Sequence, residues 1–185
     1  KKEKKIINLF KNLSLFVYGG VNFEPYKRIF LKLIGKKINT IEYYPASEGF
    51  FAYQNDQNDP TLLLQYNSEI FYEFVEVDQI EKKQPNRLNL SQVKLNKNYV
   101  MIISTNAGMW AYNTGDTVMF KSINPPKIIV TGRYKHFISA FGEHVISSEV
   151  EQSIKCAIAK TKLLVKEFTV APMINVSKPD LPHHE

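Results

Sequence analysis

Ile41 to Gln54 reads IEYYPASEGFFAYQ. An apolar, aromatic run enters this stretch, Pro45, Ala46, Ser47, Glu48 and Gly49 interrupt it, and a second aromatic run leaves it. Runs of that composition bounded by Pro and Gly read as buried strands. The chain therefore sets a hydroxyl, a carboxylate and a glycine at a tip between two segments that want burial.

Upstream, residues 1–11 read as the end of a helix, and Leu13 to Tyr18 (LSLFVY) as a short buried strand stopped by Gly19-Gly20. Pro25 then opens PYKRIFLKLIG, with Ile29, Leu31, Leu33 and Ile34 set among lysines and Gly35 at the end. Proline in the first turn and glycine just past the last mark the two ends of a helix. Ile38 to Tyr43 is a second strand, so residues 12–44 are predicted to form a βαβ unit, whose crossover makes its two strands parallel. Ligands of such sheets collect beyond the carboxyl ends of the strands. Gly19-Gly20 and Tyr44 to Gly49 are both expected on that edge.

From Phe50 to Thr131 the texture changes to short alternating runs, FFAYQ, TLLLQY, IFYEFVEV, YVMIIST, DTVMF and KIIVT, separated by NDQNDP, TNAG and YNTGD. That pattern predicts an antiparallel, barrel-like or strongly bent sheet. After Gly132, TGRYKH leads to a helix, with Ser148 and Glu151 spaced as a capping box ahead of VEQSIKCAIAK, and then to a strand, LLVKEFTV. This last part reads as a small α+β piece. The fold class is thus α/β with a β-rich, barrel-like subdomain.

Composition narrows the function classes. The 185 residues are 44% hydrophobic and 12% aromatic, enough for a globular core that removes roughly 70% of the extended surface from water. The net charge of +6 raises nucleic acid as a partner. The lysines, however, fall in short groups such as KKEKK, Lys36-Lys37 and Lys82-Lys83 with acidic residues between them, which reads as a solvated surface and argues against a nucleic-acid face. Cys156 is the single cysteine, so there is no internal disulfide framework; a reducing, cytoplasmic setting and a buried, inert thiol are expected. No apolar run reaches the roughly 18 residues of a membrane span, so no membrane partner is expected. The chain begins at Lys1 rather than Met, which leaves an upstream segment, a targeting signal included, open.

Several motifs are missing: there is no GxSxG elbow, no GxxxxGK[ST] loop and no CxxC pair. His136 and His144 lack metal-ligand spacing, and His183-His184-Glu185 looks like a tail or truncation scar.

The remaining polar residues each have two readings. Ser47 and Glu48 form a solvated tip or cap, or else Ser47 donates to a phosphate oxygen while Glu48 holds a hard cation such as magnesium and the Tyr44 ring lies against a base. Gly19-Gly20 is a turn, or lets a flat ligand approach the backbone with no Cβ in the way. YNTGD has good hairpin-turn chemistry, and its Asp116 also has two oxygens suited to a ribose diol. Arg133 is a strand-end surface residue, or steadies ribose or phosphate beside Asp116. Taken singly, each is satisfied by its structural reading.

Together their order is more specific. VYGGV, YYPASEGFFA, GMWAYNTGDTV and TGRYKHFISAFGEHV, in this succession and over nearly the whole chain, resemble the Gretchen Hagen family of auxin-responsive acyl-acid amido synthetases. That family is a branch of the adenylate-forming superfamily that includes acyl-CoA ligases and luciferases. The resemblance implies the adenylate-forming fold, with residues 1–132 as the carboxyl-terminal part of a large nucleotide-binding domain (βαβ unit 12–44, β-rich subdomain 50–131). Residues 133–185 would be the hinge and the truncated start of a small mobile domain. It implies ATP and Mg2+ as cofactors, a small carboxylic acid and an amine or amino acid as partners, and a cytoplasmic ligase that activates the acid as an acyl-adenylate and forms an amide. By the same resemblance Gly19, Gly20 and Val21 lie beside the adenine. Tyr44, Ala46, Ser47 and Glu48 form the adenine, phosphate and magnesium loop, with Glu48 both catalytic and the metal ligand. Asp116 binds the ribose, and Arg133, catalytic, flanks the hinge with Lys135.

The chain departs from the family in three respects. The upstream Ser/Thr/Gly-rich phosphate loop is absent, Asn113 stands where plant relatives often carry arginine, and Phe141-Gly142-Glu143-His144 occupies the stretch near which those relatives place a lysine. No catalytic lysine is therefore assigned, and the chain reads as a middle-to-late fragment of a longer enzyme, by itself inactive. Two other functions remain open at this stage: an acyl-CoA-type ligase, and a non-catalytic basic module that binds nucleic acid or another anion.

Overall fold

The computed structural model describes residues 5–20, 23–134, 147–163, 165, 168–173 and 183–184. Helix α1 (Ile6–Leu9) precedes strand β1 (Leu15–Gly19), helix α2 (Glu24–Ile34) and strand β2 (Asn39–Ala46). Pro25 lies in the first turn of α2, and Gly35 closes the helix with φ 90°, donating its N–H to the Leu31 carbonyl. That left-handed conformation is open to glycine without a Cβ penalty. The helix lays Phe30 against Phe16 of β1, ring centroids 4.2 Å apart, and Phe23, just before the helix, packs on Tyr18 at 4.5 Å. β1 pairs parallel with β2 from Leu15↔Asn39 to Gly19↔Tyr43, as the βαβ unit requires.

β2 runs beyond the expected strand and takes Tyr44, Pro45 and Ala46 into the sheet. Ser47 and Glu48 then form a two-residue connection, and β3 (Gly49–Gln54) returns antiparallel with Ala46 opposite Gly49. β4 (Leu62–Leu64), β5 (Ile70–Glu76), β6 (Asn98–Thr105), β7 (Tyr112–Ile123) and β8 (Pro126–Arg133) complete one eight-stranded sheet in the order β1-β2-β3-β4-β8-β7-β6-β5. The parallel and antiparallel parts are thus one sheet, with β2 as their shared strand.

The antiparallel part curls on itself. β3 and β5 are not neighbours in the ladder, yet the rings of Phe51 and Tyr72 meet at 6.3 Å and 78°. A Cβ on Gly49 would stand 3.0 Å from the Ile70 Cδ1 atom. Phe51, Phe74, Tyr99 and Phe120 are fully buried inside this barrel-like layer. Phe74 and Phe120 meet edge to face at 4.9 Å and 83°. Burying a side chain of this size contributes about 2–3 kcal/mol of transfer free energy, so these aromatics fix the closure.

Several sequence expectations need correction. YNTGD is not a hairpin turn: Tyr112 to Asp116 lie within β7. Helix α3 (Ser147–Thr161) already includes Ser147, so Ser148 lies inside its first turn and is not the residue that precedes the helix. Cys156 is exposed, because α3 packs only one side and keeps Cys156 off its half-buried positions Val150, Ile154 and Ile158. The described residues between Leu163 and Val170 are not in a strand; β9 is Pro172–Met173, paired antiparallel with β10 (His183–His184), so these histidines are not a free tail. Among the described residues, no helix is long and apolar enough to cross a membrane.

Candidate functional site

The site grows out of an irregularity in β7. Val100 of β6 pairs with Thr117 and Ile102 with Asn113, so Met101 alone faces Thr114, Gly115 and Asp116. Such a bulge loses ladder bonds, and here side chains replace them. The Thr114 hydroxyl donates to the Met101 carbonyl at 3.0 Å and accepts the Asp116 N–H at 3.2 Å. Asn113 Oδ1 accepts the Gly115 N–H at 2.8 Å, and the Gly115 carbonyl accepts the Tyr134 N–H at 3.0 Å. Gly115 has φ +80° with nothing within 4 Å of its Cβ direction, so its requirement is conformational, not steric. A bulge of this kind re-aims a side chain, and the one re-aimed is Asp116.

Asp116 is held from two sides. Tyr44 donates its hydroxyl to Oδ2 at 2.5 Å, and Arg133, directly opposite across the β7–β8 ladder, donates Nε–H to Oδ1 at 2.8 Å. The Asp116 side chain is 15% exposed and that of Arg133 is 56% exposed, so the carboxylate is largely covered and the guanidinium lies at the solvent-facing rim. Burial first, and then the charge and hydrogen bond of Asp116, push the Tyr44 hydroxyl far above the ordinary tyrosine range. Tyr44 therefore remains a donor. The hydrogen bond to Asp116 likewise raises the Arg133 guanidinium, which stays a cation.

Glu48 joins this group from the β2–β3 turn. Its side-chain hydrogen bond raises the Tyr112 hydroxyl pKa, and its charge also acts on Tyr44 and Arg133. Glu48, 68 positions from Asp116 in the sequence, thus lies beside Tyr112 and within electrostatic reach of Tyr44 and Arg133, the two residues that hold Asp116. Ser47 is exposed in the same turn, and Ala46 packs on the barrel core.

The other site residues named from the sequence are placed as follows. Gly19 stands opposite Tyr43, and a Cβ there would strike the Tyr43 carbonyl and come within 3.0 Å of Pro45 Cδ. The close approach that Gly19 permits is therefore that of β1 to β2. Gly20, with φ +82°, is open on its Cβ side. The Tyr44 ring is only 7% exposed and packs edge to face on Phe51 at 5.1 Å, so its engaged group is the hydroxyl and its ring belongs to the core. Val21 and Lys135 lie outside the described residues. Sequence reasoning passed over Tyr112 as the neighbour of Glu48, and Asn113 and Thr114 as the residues that hold the bulge. For the bulge the signal was the pair of short polar side chains just before Gly115, Asn113 and Thr114, which favour local backbone hydrogen bonding.

Each Asp116 oxygen accepts one donor and keeps further acceptor capacity, which suits two adjacent hydroxyls. No cluster of three or more His, Cys, Asp or Glu side chains that would enclose a metal occurs among the described residues. A single carboxylate such as Glu48 fits instead the magnesium pattern of one or two protein ligands completed by phosphate oxygens and water.

Residues 63–133 match the GH3 family central domain, a segment that contains Asp116 and Arg133 but begins after Tyr44 and Glu48. No curated protein matches the chain. Among solved structures, the chain resembles GH3.15 acyl acid amido synthetase with a TM-score of 0.70 and 17% identity, over 97% of this chain and 32% of that one. AtGH3.15 acyl acid amido synthetase in complex with 2,4-DB gives 0.66 and 16%, over 89% and 29%. A single-substitution form of coronafacic acid ligase from Pectobacterium brasiliense gives 0.51 and 19%, over 97% and 36%. At these identities the likeness is one of fold, and the chain spans about a third of the length of these structures. Residues 63–133 thus match the GH3 family central domain, and the fold around them is similar to that of the acyl acid amido synthetases.

Proposed function

We propose that the protein carrying this chain activates a small carboxylic acid with ATP and passes the acyl group to an amine or amino acid. The observation that supports this reading is the convergence of Tyr44, Asp116 and Arg133, with Glu48 beside them, on a fold shared with acyl acid amido synthetases. In the first step a carboxylate oxygen of the acid attacks the α-phosphorus of ATP and pyrophosphate leaves. In the second, the amine nitrogen attacks the acyl carbon, AMP leaves and the nitrogen gives up a proton. Little covalent work falls to the protein, so its contribution is positioning and charge stabilisation.

On this reading Asp116 accepts the ribose hydroxyls and Arg133 places positive charge at the rim. Ser47 donates to a phosphate oxygen, Gly19, Gly20 and Val21 border the adenine, and Ala46 lines the turn. Glu48 would hold magnesium, which supplies charge neutralisation on the phosphates. Residues 133–185, with Lys135 at their start, form the hinge and the beginning of a small domain whose closure keeps water from the activated acid. The solved relative bound to 2,4-DB motivates an acid as the substrate class, and a cytoplasmic location belongs to the same proposal.

The test is exchange of labelled pyrophosphate into ATP by the full-length protein. Exchange is expected to depend on an added acid and to fall by about a hundredfold in Asp116→Ala and in Glu48→Ala, the size of losing a charge-assisted contact in an active site. Unchanged exchange in both variants removes these residues from the mechanism. Product analysis with an amine and with coenzyme A supplied separately decides between amide and thioester formation.

A further inference from the structure

We infer that Tyr44 is a positioning residue: its bond to Asp116 turns that carboxylate toward a ribose diol and thereby sets the preference of the site for a ribonucleotide over its deoxy analogues. The inference deepens the nucleotide reading above and rests on it.

An aspartate carboxylate turns on a broad, soft terminal torsion, so its plane is set by what bonds to it. Asp116 has two such partners of different stiffness. Arg133 is a long side chain, 56% exposed, and an ion pair at the rim is weakened by water and by its own rotamer freedom. Tyr44 is 7% exposed, has few torsions, and is wedged edge to face on Phe51, which itself is fully buried. The rigid arm is therefore Tyr44.

With Oδ2 taken by Tyr44 and Oδ1 by Arg133, the acceptor positions left on the two oxygens are those turned away from both donors. A vicinal diol supplies one hydroxyl to each. A 2′- or 3′-deoxyribose supplies one only and leaves a partly buried oxygen without a donor. A site that holds such polar groups in place rejects the analogue that lacks the hydroxyl. A carboxylate free to turn would engage one hydroxyl of either sugar and lose the distinction.

Tyr44→Phe keeps the ring on Phe51 and removes only the hydroxyl. In the full-length protein, acid-dependent pyrophosphate exchange is measured with ATP, 2′-deoxyATP and 3′-deoxyATP. The native protein is expected to prefer ATP; in Tyr44→Phe, kcat/KM for ATP falls about tenfold, mostly through KM, the size of one hydrogen bond to a charged group. The deoxy analogues change little, so the ratio contracts toward one. An equal loss with all three nucleotides, or no loss, overturns the inference. Arg133→Gln is the second arm: exchange falls, but the ATP-to-deoxy ratio stays near the native value. A ratio that collapses in Arg133→Gln makes Arg133 the orienting residue and overturns the role of Tyr44. Native exchange without discrimination overturns this inference and leaves adenylation standing, whereas no exchange with any acid removes the adenylation reading beneath it.

Discussion

The Tyr44 hydroxyl and Asp116 Oδ2 are 2.5 Å apart although the residues are separated by 72 positions. The bond ties β2, the last strand of the parallel pair, to the bulge of β7. Tyr44→Phe is expected to lower stability by about 1–1.5 kcal/mol, the net value of a hydrogen bond whose acceptor water still reaches in part. A thermal midpoint identical to that of the native protein would show that water replaces Tyr44 at no cost.

Gly115 and Gly108 both have positive φ, +80° and +96°, with nothing within 4 Å of their Cβ directions. Alanine at either position is expected to cost about 1–2 kcal/mol, because the strain is in the backbone and not in packing. Only Gly115→Ala should also weaken ATP binding, since Gly115 shapes the bulge that aims Asp116. Equal ATP affinity for both variants, by calorimetry on the full-length protein, would separate the bulge from the site.

Asp59 is held at a pKa of about 2, below the usual 3.8, first by a hydrogen bond from Lys127 and then by Thr61. The folded pKa lies below the unfolded one, so the stabilisation is whole above about pH 4 and is lost as the pH falls from 4 to 2. The stability gap between the native protein and Asp59→Asn should therefore be widest above pH 4 and close toward pH 2. Chemical denaturation across that range reads it; a gap independent of pH would contradict the assignment.

β1 is the edge strand of the large sheet, and its face away from α2 presents Leu15 and Val17, 42% and 51% exposed. The stacked rings of Tyr43, Phe50 and Tyr53 lie on β2 and β3, with Phe50 46% exposed. An apolar edge and face of this kind promote association. The 185-residue chain by itself is expected to self-associate at high concentration, and Val17→Lys to reduce this. A clean monomer of the native chain in light scattering would count against it.

Much of the fold was legible because its signals are local. Pro25 and Gly35 bracket α2, Gly19-Gly20 stops β1, and each alternating run read between Phe50 and Thr131 contains a strand, although TLLLQY is one only over Leu62–Leu64. YNTGD misled for a physical reason: Asn, Gly and Asp serve a tight turn and a bulge through the same local backbone chemistry. Which one forms depends on whether a partner strand runs past, and here β6 does. The described residues of LLVKEFTV are not in a strand and Cys156 is exposed, because a short apolar segment takes its state from what covers it.

By itself, the sequence determined the order of elements as far as Arg133, the parallel pairing of β1 with β2, and the identity of the polar residues in the β2–β3 turn and beside Gly115. Tertiary structure alone decided that the Tyr44 hydroxyl engages Asp116, that Gly19 yields space to β2, and that Glu48 comes beside Tyr112 and near the Tyr44–Asp116–Arg133 group. Propensity and periodicity act over a few residues, while the curl that brings the barrel's distant strands together is set by the burial of Phe51, Phe74, Tyr99 and Phe120, which no short window of sequence contains.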